Sequence, residues 1–278
     1  MFLATTIAQA RAQHKTLGGT WGLVPTMGAL HQGHISLVQR ARAENEHVAV
    51  SIFVNPTQFA QGGDFDKYPR TLERDLQLLE PFNVDLVLAP TNDEIYPQNF
   101  QTYVTVEEIT KPLEGAMRPG HFRGVATVVT KLFNIVQPDR AYFGQKDAQQ
   151  VAVIQRMVRD LDIPVEIVVC ETMREADGLA MSSRNVYLSP EQRQAAPVLY
   201  RALCDARDAF ARGERDGARL REIMRAVLAQ ESRANVEYVS AADPDTLLEL
   251  NTIQNAVLLS MAVRFGTTRL IDNLLLRA

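Results

Sequence analysis

The strongest constraint on the fold of this chain is an alternation of short apolar strands with amphipathic helices along residues 21–170 of its 278 residues. Residues 48–54 are almost continuously β-branched and apolar, as in a strand covered on both faces. The segment before them instead places Ile35, Val38 and Ala41 at intervals of three, which is helical spacing. Because strands that alternate with helices build a parallel sheet with helices against it, we predict an α/β domain.

The predicted elements bring the ends of five strands to one edge of this sheet. We predict strands at 21–24, 48–54, 85–90, 141–143 and 165–170, and helices from about Gln32, from an N-cap at Thr71 to about Glu80, and along 125–136 and 151–161. Ligands of parallel sheets bind beyond the carboxyl ends of the strands. Residues that directly follow a strand are therefore the first candidates for a functional site.

The last third of the chain has a different pattern. Two helical stretches at 190–212 and 216–232 are followed by apolar runs near 236–239, 256–263 and 268–271. The sequence shows no internal repeat and no low-complexity tract. Polar residues and Gly178 fill the segment 173–188, which lies between these stretches and the first domain. We predict a smaller α+β domain, with the boundary in this segment.

Charge and cysteine content narrow the class of protein. The net charge is −4, without the basic excess that binding to the phosphates of nucleic acid requires, so a small-molecule partner is favoured. The two cysteines, Cys170 and Cys204, are too few for a disulfide framework or a structural zinc site. No apolar run approaches the ~18 residues of a membrane span. We therefore expect a soluble protein of the cytoplasm that binds neither nucleic acid nor membrane.

A turn rich in glycine and histidine follows the first predicted strand. It contains Gly28, His31, Gly33 and His34 just before a helix, whose first N–H groups attract phosphate. If both histidines are helical, their spacing of three puts them on one side of the first turn, where both can donate to phosphate oxygens. The alternative is a pair of surface or capping histidines. A zinc site is less favoured because no third ligand is evident.

Two further strand ends carry polar residues. Residues 51–59 end a buried strand, and Gln58 there can bind a substrate hydroxyl or carboxylate. The segment of Gly144, Gln145, Lys146 and Asp147 offers an ammonium group and a carboxylate suited to polyphosphate and its magnesium. A solvated turn with Asp147 as a helix N-cap is the alternative interpretation.

Two basic segments outside the strands are ambiguous in isolation. Residues 181–185, with the sequence MSSRN, can be a mobile strip that brings two hydroxyls and a guanidinium onto phosphates, or a plain linker. The segment from Arg118 to Arg123 can be the loop that starts a helix or a basic flap over the site. The sequence leaves both pairs of alternatives open.

The order of these segments resembles a known family. The glycine pattern of dinucleotide folds and the Walker A pattern are both absent. The turn that carries His31 and His34, which we call the histidine turn, together with the later strip 181–185, is similar to nucleotidyltransferases and class I aminoacyl-tRNA synthetases. The segments PTMGALHQGH, SIFVNPTQF, RPGHFRGVATVV, YFGQKDAQQ and DGLAMSSRN, in this order, resemble the pantoate–β-alanine ligases. They run from Pro25 to about Leu188, and the remaining third resembles the family only in length and element order.

The resemblance implies a fold and a reaction. It implies a Rossmann-like domain for ATP and pantoate over residues 1–175, followed by a smaller α+β domain over 176–278 that carries the MSSRN strip near its start. It implies the condensation of D-pantoate with β-alanine through an enzyme-bound pantoyl adenylate, with ATP as substrate, Mg²⁺ as cofactor, and a homodimeric assembly.

The same resemblance assigns roles to individual residues. It implies that ATP is bound by Met27, Gly28, Ala29, Leu30, His31, Gln32, Gly33, His34, Gly144, Gln145, Lys146, Asp147, Met173, Met181, Ser182, Ser183 and Arg184. His34 would be the proton donor, with His31 and Lys146 also catalytic. Gln58, Gln150 and Asn55 would bind pantoate, and Gln58 would also meet β-alanine. Asp75 is a possible outer ligand of magnesium, although the neighbouring Arg74 stands where some members of the family carry an acidic residue.

Two other functions remain compatible with the residues alone. A nucleotidyltransferase that leaves its adenylyl group on a phosphorylated acceptor would use the same histidine turn. A regulatory nucleotide-binding module could have the same α/β crevice without turnover, since a fold does not fix a function. A tRNA synthetase is disfavoured by the charge balance and by the ~100 residues left to bind RNA.

Overall fold

The computed structural model describes residues 1–59 and 65–278. The chain forms two compact units. Unit 1 comprises residues 1–110, 114–144 and 153–170, and unit 2 comprises residues 111–113, 145–152 and 171–278. In the part of the chain that is described, no helix has the length and apolar character needed to cross a membrane.

The strands and helices of the two units have the following bounds. The strands are β1 (Phe2–Ala4), β2 (Trp21–Thr26), β3 (His47–Ile52), β4 (Leu86–Leu88), β5 (Arg140–Gly144), β6 (Glu166–Cys170), β7 (Asn235–Ala242), β8 (Ala256–Phe265) and β9 (Thr268–Arg277). The helices are α1 (Ile7–Leu17), α2 (Gln32–Glu44), α3 (Leu72–Leu79), α4 (Asn92–Ile95), α5 (Glu114–Met117), α6 (His121–Val136), α7 (Ala148–Asp160), α8 (Pro190–Ala195), α9 (Val198–Ala211) and α10 (Gly217–Leu228).

Unit 1 is built on a six-stranded sheet in the order β1-β4-β3-β2-β5-β6. Every pairing in it is parallel. The predicted α/β domain with a parallel sheet is therefore confirmed. From β2 the chain moves through β3 to β4 on one side and then returns to β5 on the other, so the strand order reverses between β2 and β5. In open parallel sheets this reversal creates the crevice in which ligands bind, at the carboxyl ends of the strands.

Burial explains why these segments form a sheet and helices. Residues Val48, Ala49 and Val50 in β3 are completely buried, which agrees with the continuous apolar pattern of a strand covered on both faces. Helix α2 buries Ile35 and Val38 against the sheet, as its helical spacing predicts. At ~25 cal/mol per Å² of apolar surface, each such side chain contributes about 1.5–3 kcal/mol to the free energy of unfolding.

Unit 2 contains a three-stranded antiparallel sheet in the order β7-β8-β9, covered by helices α9 and α10. One face of the sheet buries Met261 and Phe265 in a core with Leu203, Phe210 and Met224 of the helices. This confirms the predicted α+β character of the last third of the chain.

Several local features differ from the prediction. The predicted helix at 190–212 is two helices, because Pro197 begins a new helix and has no N–H to continue α8. Thr71 occupies the N-cap position of α3, but its side chain makes no capping bond and donates to Asp75 instead. Strand β1 and helix α1 were not predicted; β1 has only three residues, which is too short to show a period.

Candidate active site

The histidine turn joins the carboxyl end of β2 to the start of α2 and is anchored by a residue far away in the sequence. Gly28 and Ala29 have positive φ angles of 80° and 50°. Both oxygens of the Asp75 carboxylate accept backbone N–H groups of this turn, from Ala29 and Leu30, at 2.9 Å each. A Cβ at Gly28 would lie 3.0 Å from Asp75 Oδ2, so glycine there allows both the positive φ and the close approach of the carboxylate.

The two histidines of the turn are held by backbone N–H groups. His31 is the N-cap of α2, where its Nδ1 accepts the N–H of Gly33 at 3.1 Å. Nδ1 of His34 accepts the N–H of His31 at 3.3 Å, and the two ring centroids lie 4.1 Å apart. Since each Nδ1 is an acceptor, a neutral ring carries its proton on Nε2. The histidines thus cap the helix, as one alternative supposed, and this capping also orients each Nε2–H as a donor.

Asp75 has a different environment from that of a metal ligand. It is completely buried, and its oxygens accept from two backbone N–H groups and from the hydroxyl of Thr71. Within residues 1–59 and 65–278, no group of three or more His, Cys, Asp or Glu side chains is arranged to hold a metal ion. The observed contacts of Asp75 are those of a residue that shapes the histidine turn.

Asn55 and Gln58 follow β3 at the same edge of the sheet. Asn55 is 1% exposed; its Nδ2 donates to Oε1 of Gln58 at 3.1 Å and its Oδ1 accepts from the hydroxyl of Tyr96 at 2.8 Å. Burial raises the pKa of Tyr96, which keeps this hydroxyl protonated as a donor. The amide of Gln58 is therefore oriented, and its Nε2 lies 2.9 Å from Sδ of Met27 in the histidine turn.

The backbone of Gln58 is fixed by the start of α6. The carbonyl of Gln58 accepts from Nδ1 of His121 at 2.8 Å, and Nε2 of His121 lies 3.3 Å from Arg118. A Cβ at Gly124 would lie 2.3 Å from the carbonyl oxygen of Thr57, so only glycine permits this approach of α6. The segment from Arg118 to Arg123 thus includes the start of a helix, with Gly120 as N-cap.

Unit 2 holds the other predicted nucleotide residues on two short segments. Gln145, Lys146 and Asp147 form a 3₁₀ turn, and Nζ of Lys146 lies 3.8 Å from the Asp147 carboxylate. Gln150, in the first turn of α7, is half-buried. The N–H of Met181 donates to the carbonyl of Met173 at 2.9 Å, which closes a small hairpin over 173–181. Ser182 then caps a 3₁₀ helix that contains Ser183 and Arg184.

The structure thus groups the predicted site residues by unit. Unit 1 brings together the histidine turn, Asn55, Gln58 and Asp75, and the carboxyl end of β5 at Gly144 belongs to the same sheet. Unit 2 brings Met173 next to Met181. Sequence reasoning assigned no role to Tyr96, His121, Gly124 or Asn273. A histidine directly after the helix-starting Gly120 is the one local signal that could have singled out His121.

Comparison with known proteins identifies the family. The family model described as pantoate-beta-alanine ligase matches residues 3–275. A pantothenate synthetase of Roseiflexus sp. is 62% identical over 278 residues, covering 100% of both chains. A crystal structure of pantothenate synthetase from Thermus thermophilus superposes with a TM-score of 0.94 at 50% identity over 99% of each chain.

A further crystal structure in the comparison carries ligands. The pantoate-beta-alanine ligase of Francisella tularensis, complexed with beta-gamma ATP and beta-alanine, has a TM-score of 0.80 and 37% identity, covering 99% of this chain and 97% of that one. Such similarity over the whole length decides between the ligase and the two other functions that the residues alone allowed. The chain belongs to the pantoate–β-alanine ligase family.

Proposed function

We propose that this ligase condenses D-pantoate with β-alanine through an enzyme-bound pantoyl adenylate, with the histidine turn as the centre of the adenylation step. The observation that carries this proposal is the orientation of His31 and His34, whose Nδ1 atoms both accept backbone N–H groups at the start of α2. Two Nε2–H donors beside a helix N-terminus suit an anionic phosphate.

The first step requires a negative carboxylate to attack the α-phosphorus of ATP. Donors and cations must absorb the charge that develops as pyrophosphate leaves. We assign this role to His34 as proton donor, to His31 beside it, and to the ammonium of Lys146. We assign the nucleotide contacts to Met27 to His34, Gly144 to Asp147, Met173 and Met181 to Arg184.

Gln58 is the best supported pantoate ligand. Oε1 of Gln58 already accepts a hydrogen bond from Asn55, which leaves Nε2 of Gln58 as the group that meets a ligand. The present acceptor of this Nε2 is the sulfur of Met27, which is a weak acceptor. A pantoate oxygen is a stronger acceptor than a thioether, so substrate would replace this contact. Gln150 would bind pantoate as well, and Gln58 would also meet β-alanine.

The second step needs no nucleophile from the protein. Adenylation converts a poor leaving group into AMP, after which the neutral amine of β-alanine attacks the acyl carbon directly. Burial raises the pKa of Cys170, which keeps it a protonated thiol rather than a reactive thiolate. This environment agrees with a mechanism that has no covalent enzyme intermediate.

Magnesium would enter with ATP in this proposal. Asp75 does not fit a direct ligand, since both of its oxygens already accept N–H groups inside the protein. Asp147, whose side chain is 49% exposed beside Lys146, has the oxygen chemistry that magnesium prefers. The cation would screen the phosphate charge, and the phosphates themselves would supply most of its ligands.

Domain roles, assembly and location complete the proposal. We assign ATP and pantoate binding to residues 1–175, and to 176–278 a smaller domain that carries the MSSRN strip. We propose a homodimer because the chain resembles the family, and analytical ultracentrifugation would measure the mass of the assembly. Cys170 and Cys204 are both free, which is usual in a reducing compartment such as the cytoplasm.

Exchange of labelled pyrophosphate into ATP tests the mechanism. Exchange should depend on D-pantoate and should occur before any β-alanine is added, because the adenylate forms first. Addition of β-alanine should then release free AMP. Folded protein without pantoate-dependent exchange would contradict the adenylate, and AMP retained on the acceptor would contradict the second step.

A further inference from the structure

Strand β9 contains two adjacent polar residues that are almost completely buried, Asp272 at 1% and Asn273 at 3% exposure. Successive side chains of a strand point to opposite faces of the sheet, so the two residues meet different partners. Asn273 is paired in register with Ser260 of β8, and Asp272 with Met261. Buried polar side chains are retained where they bind specific groups.

Asn273 binds the turn that carries Lys146. Its Nδ2 donates to the carbonyl oxygens of Gln145 and Lys146, at 3.0 and 2.8 Å. Its Oδ1 accepts from Nε2 of Gln145 at 3.1 Å. The side-chain amide of Asn273 thus directs both of its N–H groups and its oxygen at two consecutive residues, Gln145 and Lys146. Lys146 lies 127 positions before Asn273 in the sequence.

Asp272 holds the second nucleotide segment of unit 2. Its carboxylate forms a bidentate pair with the guanidinium of Arg174, at 2.7 and 2.9 Å. Arg174 also donates to the carbonyl of Gly178 within the hairpin that joins Met173 to Met181. Burial raises the pKa of the Asp272 carboxyl, and the guanidinium opposes this shift. One strand therefore anchors both segments of unit 2 that the proposed mechanism uses.

We propose that Asn273 is a positioning residue for Lys146 in the adenylation step, an inference that rests on the function proposed above. The turn Gln145–Asp147 has only three residues, so the positions of the Gln145 and Lys146 carbonyls largely determine where the Lys146 side chain starts. A cation that stabilises developing charge must lie within fractions of an ångström of its productive position, and a displacement of ~1 Å can reduce a rate by about 10²-fold.

Replacement of Asn273 by aspartate gives the sharpest test. The carboxylate has nearly the same shape, but it donates to neither carbonyl and its charge repels both. Pantoate-dependent pyrophosphate exchange by Asn273→Asp should fall by about 10²-fold, mainly in kcat, whereas KM for pantoate changes little. Ser260→Ala is the matched control, because Ser260 lies beside Asn273 in the sheet and its hydroxyl has no hydrogen-bond partner among the described residues. It should exchange at the wild-type rate.

A double-mutant cycle with Lys146→Ala separates positioning from a general structural role. If Asn273 acts through Lys146, the pair Asn273→Asp and Lys146→Ala should lose little more than Lys146→Ala alone. The inference would be overturned if the rate losses of the two single variants multiply in the double variant. It would also be overturned by an Asn273→Asp variant whose kcat lies within about threefold of wild type. If Asn273→Asp does not fold by circular dichroism, Asn273→Ser, which keeps one donor, takes its place in the same cycle.

The experiment also separates this inference from the proposed function. Wild-type protein that shows no pantoate-dependent exchange contradicts the proposed mechanism itself. Wild-type protein that exchanges, beside an Asn273→Asp variant that exchanges equally well, contradicts only the role of Asn273.

Discussion

Oδ1 of Asp75 lies 2.9 Å from the backbone nitrogen of Leu30, across 45 residues of sequence, and fixes the turn that carries the two site histidines. The other carboxylate oxygen accepts the N–H of Ala29, a non-glycine residue with a left-handed φ of 50°. That conformation costs roughly 1–2 kcal/mol relative to an ordinary backbone. The buried carboxylate therefore offsets the backbone strain at Ala29 and gives an acceptor to two N–H groups that would otherwise lack one.

We expect Asp75→Ala to lower the free energy of unfolding by about 2–6 kcal/mol, because it leaves two backbone N–H groups without their acceptor and each unsatisfied group costs about 1–3 kcal/mol. The rate of pyrophosphate exchange should fall by about 10²-fold as the turn relaxes. Urea unfolding and the exchange assay measure the two effects. Glu73→Ala is the control, since Glu73 is an exposed carboxylate in the first turn of the same helix. Wild-type exchange by Asp75→Ala would show that the turn keeps its shape without the carboxylate.

The tautomers of His31 and His34 can be observed directly. Both rings accept a backbone N–H at Nδ1, so in ligand-free protein the neutral form of each should carry its proton on Nε2. Nitrogen-15 shifts of the imidazole rings in a histidine-labelled sample distinguish the two tautomers. A ring observed with its neutral proton on Nδ1 would contradict the capping geometry.

Loss of the His34 ring should slow adenylation. His34→Ala removes both the acceptor of the His31 N–H and the proposed proton donor, so we expect the exchange rate to fall by on the order of 10²-fold or more. Gln39→Ala, at an exposed position of the same helix, should leave the rate unchanged. Circular dichroism checks that both variants fold. A wild-type rate in folded His34→Ala would remove this residue from the mechanism.

The sequence predicted the order of the α/β elements and the turns at the strand ends, because these follow from local periodicity and from the fixed edge at which parallel strands end. It could not predict which distant residue supports each turn. The partners of Leu30 and Lys146 are Asp75 and Asn273, and such pairs depend on tertiary packing that no local pattern encodes. Strand β1 was missed for a related reason, since its three residues become a strand only by pairing with β4.

Gly124 should be required for the position of Gln58. A methyl group at Gly124 would lie 2.3 Å from the carbonyl oxygen of Thr57 and 2.7 Å from the nitrogen of Gln58, so α6 must move away from the 3₁₀ turn Pro56–Gln58. We expect Gly124→Ala to lower stability by about 1–3 kcal/mol and to raise KM for pantoate severalfold. Asn134→Ala, exposed near the end of α6, should change neither quantity. An unchanged KM in a destabilised Gly124→Ala variant would separate packing from substrate binding.

Tyr142 should make stability depend on pH in the alkaline range. Its buried hydroxyl donates to Glu44 at 2.9 Å, and burial raises its pKa to about 12. Since the pKa is raised in the folded state, the stabilisation is complete below the unfolded pKa of ~10 and is lost as the pH rises towards 12, by at most about 3 kcal/mol. The difference in free energy of unfolding between wild type and Tyr142→Phe should therefore shrink steadily over this interval when measured by urea titration. A Tyr142→Phe difference that stayed constant from about pH 10 to 12 would show that the hydroxyl ionises equally easily in both states.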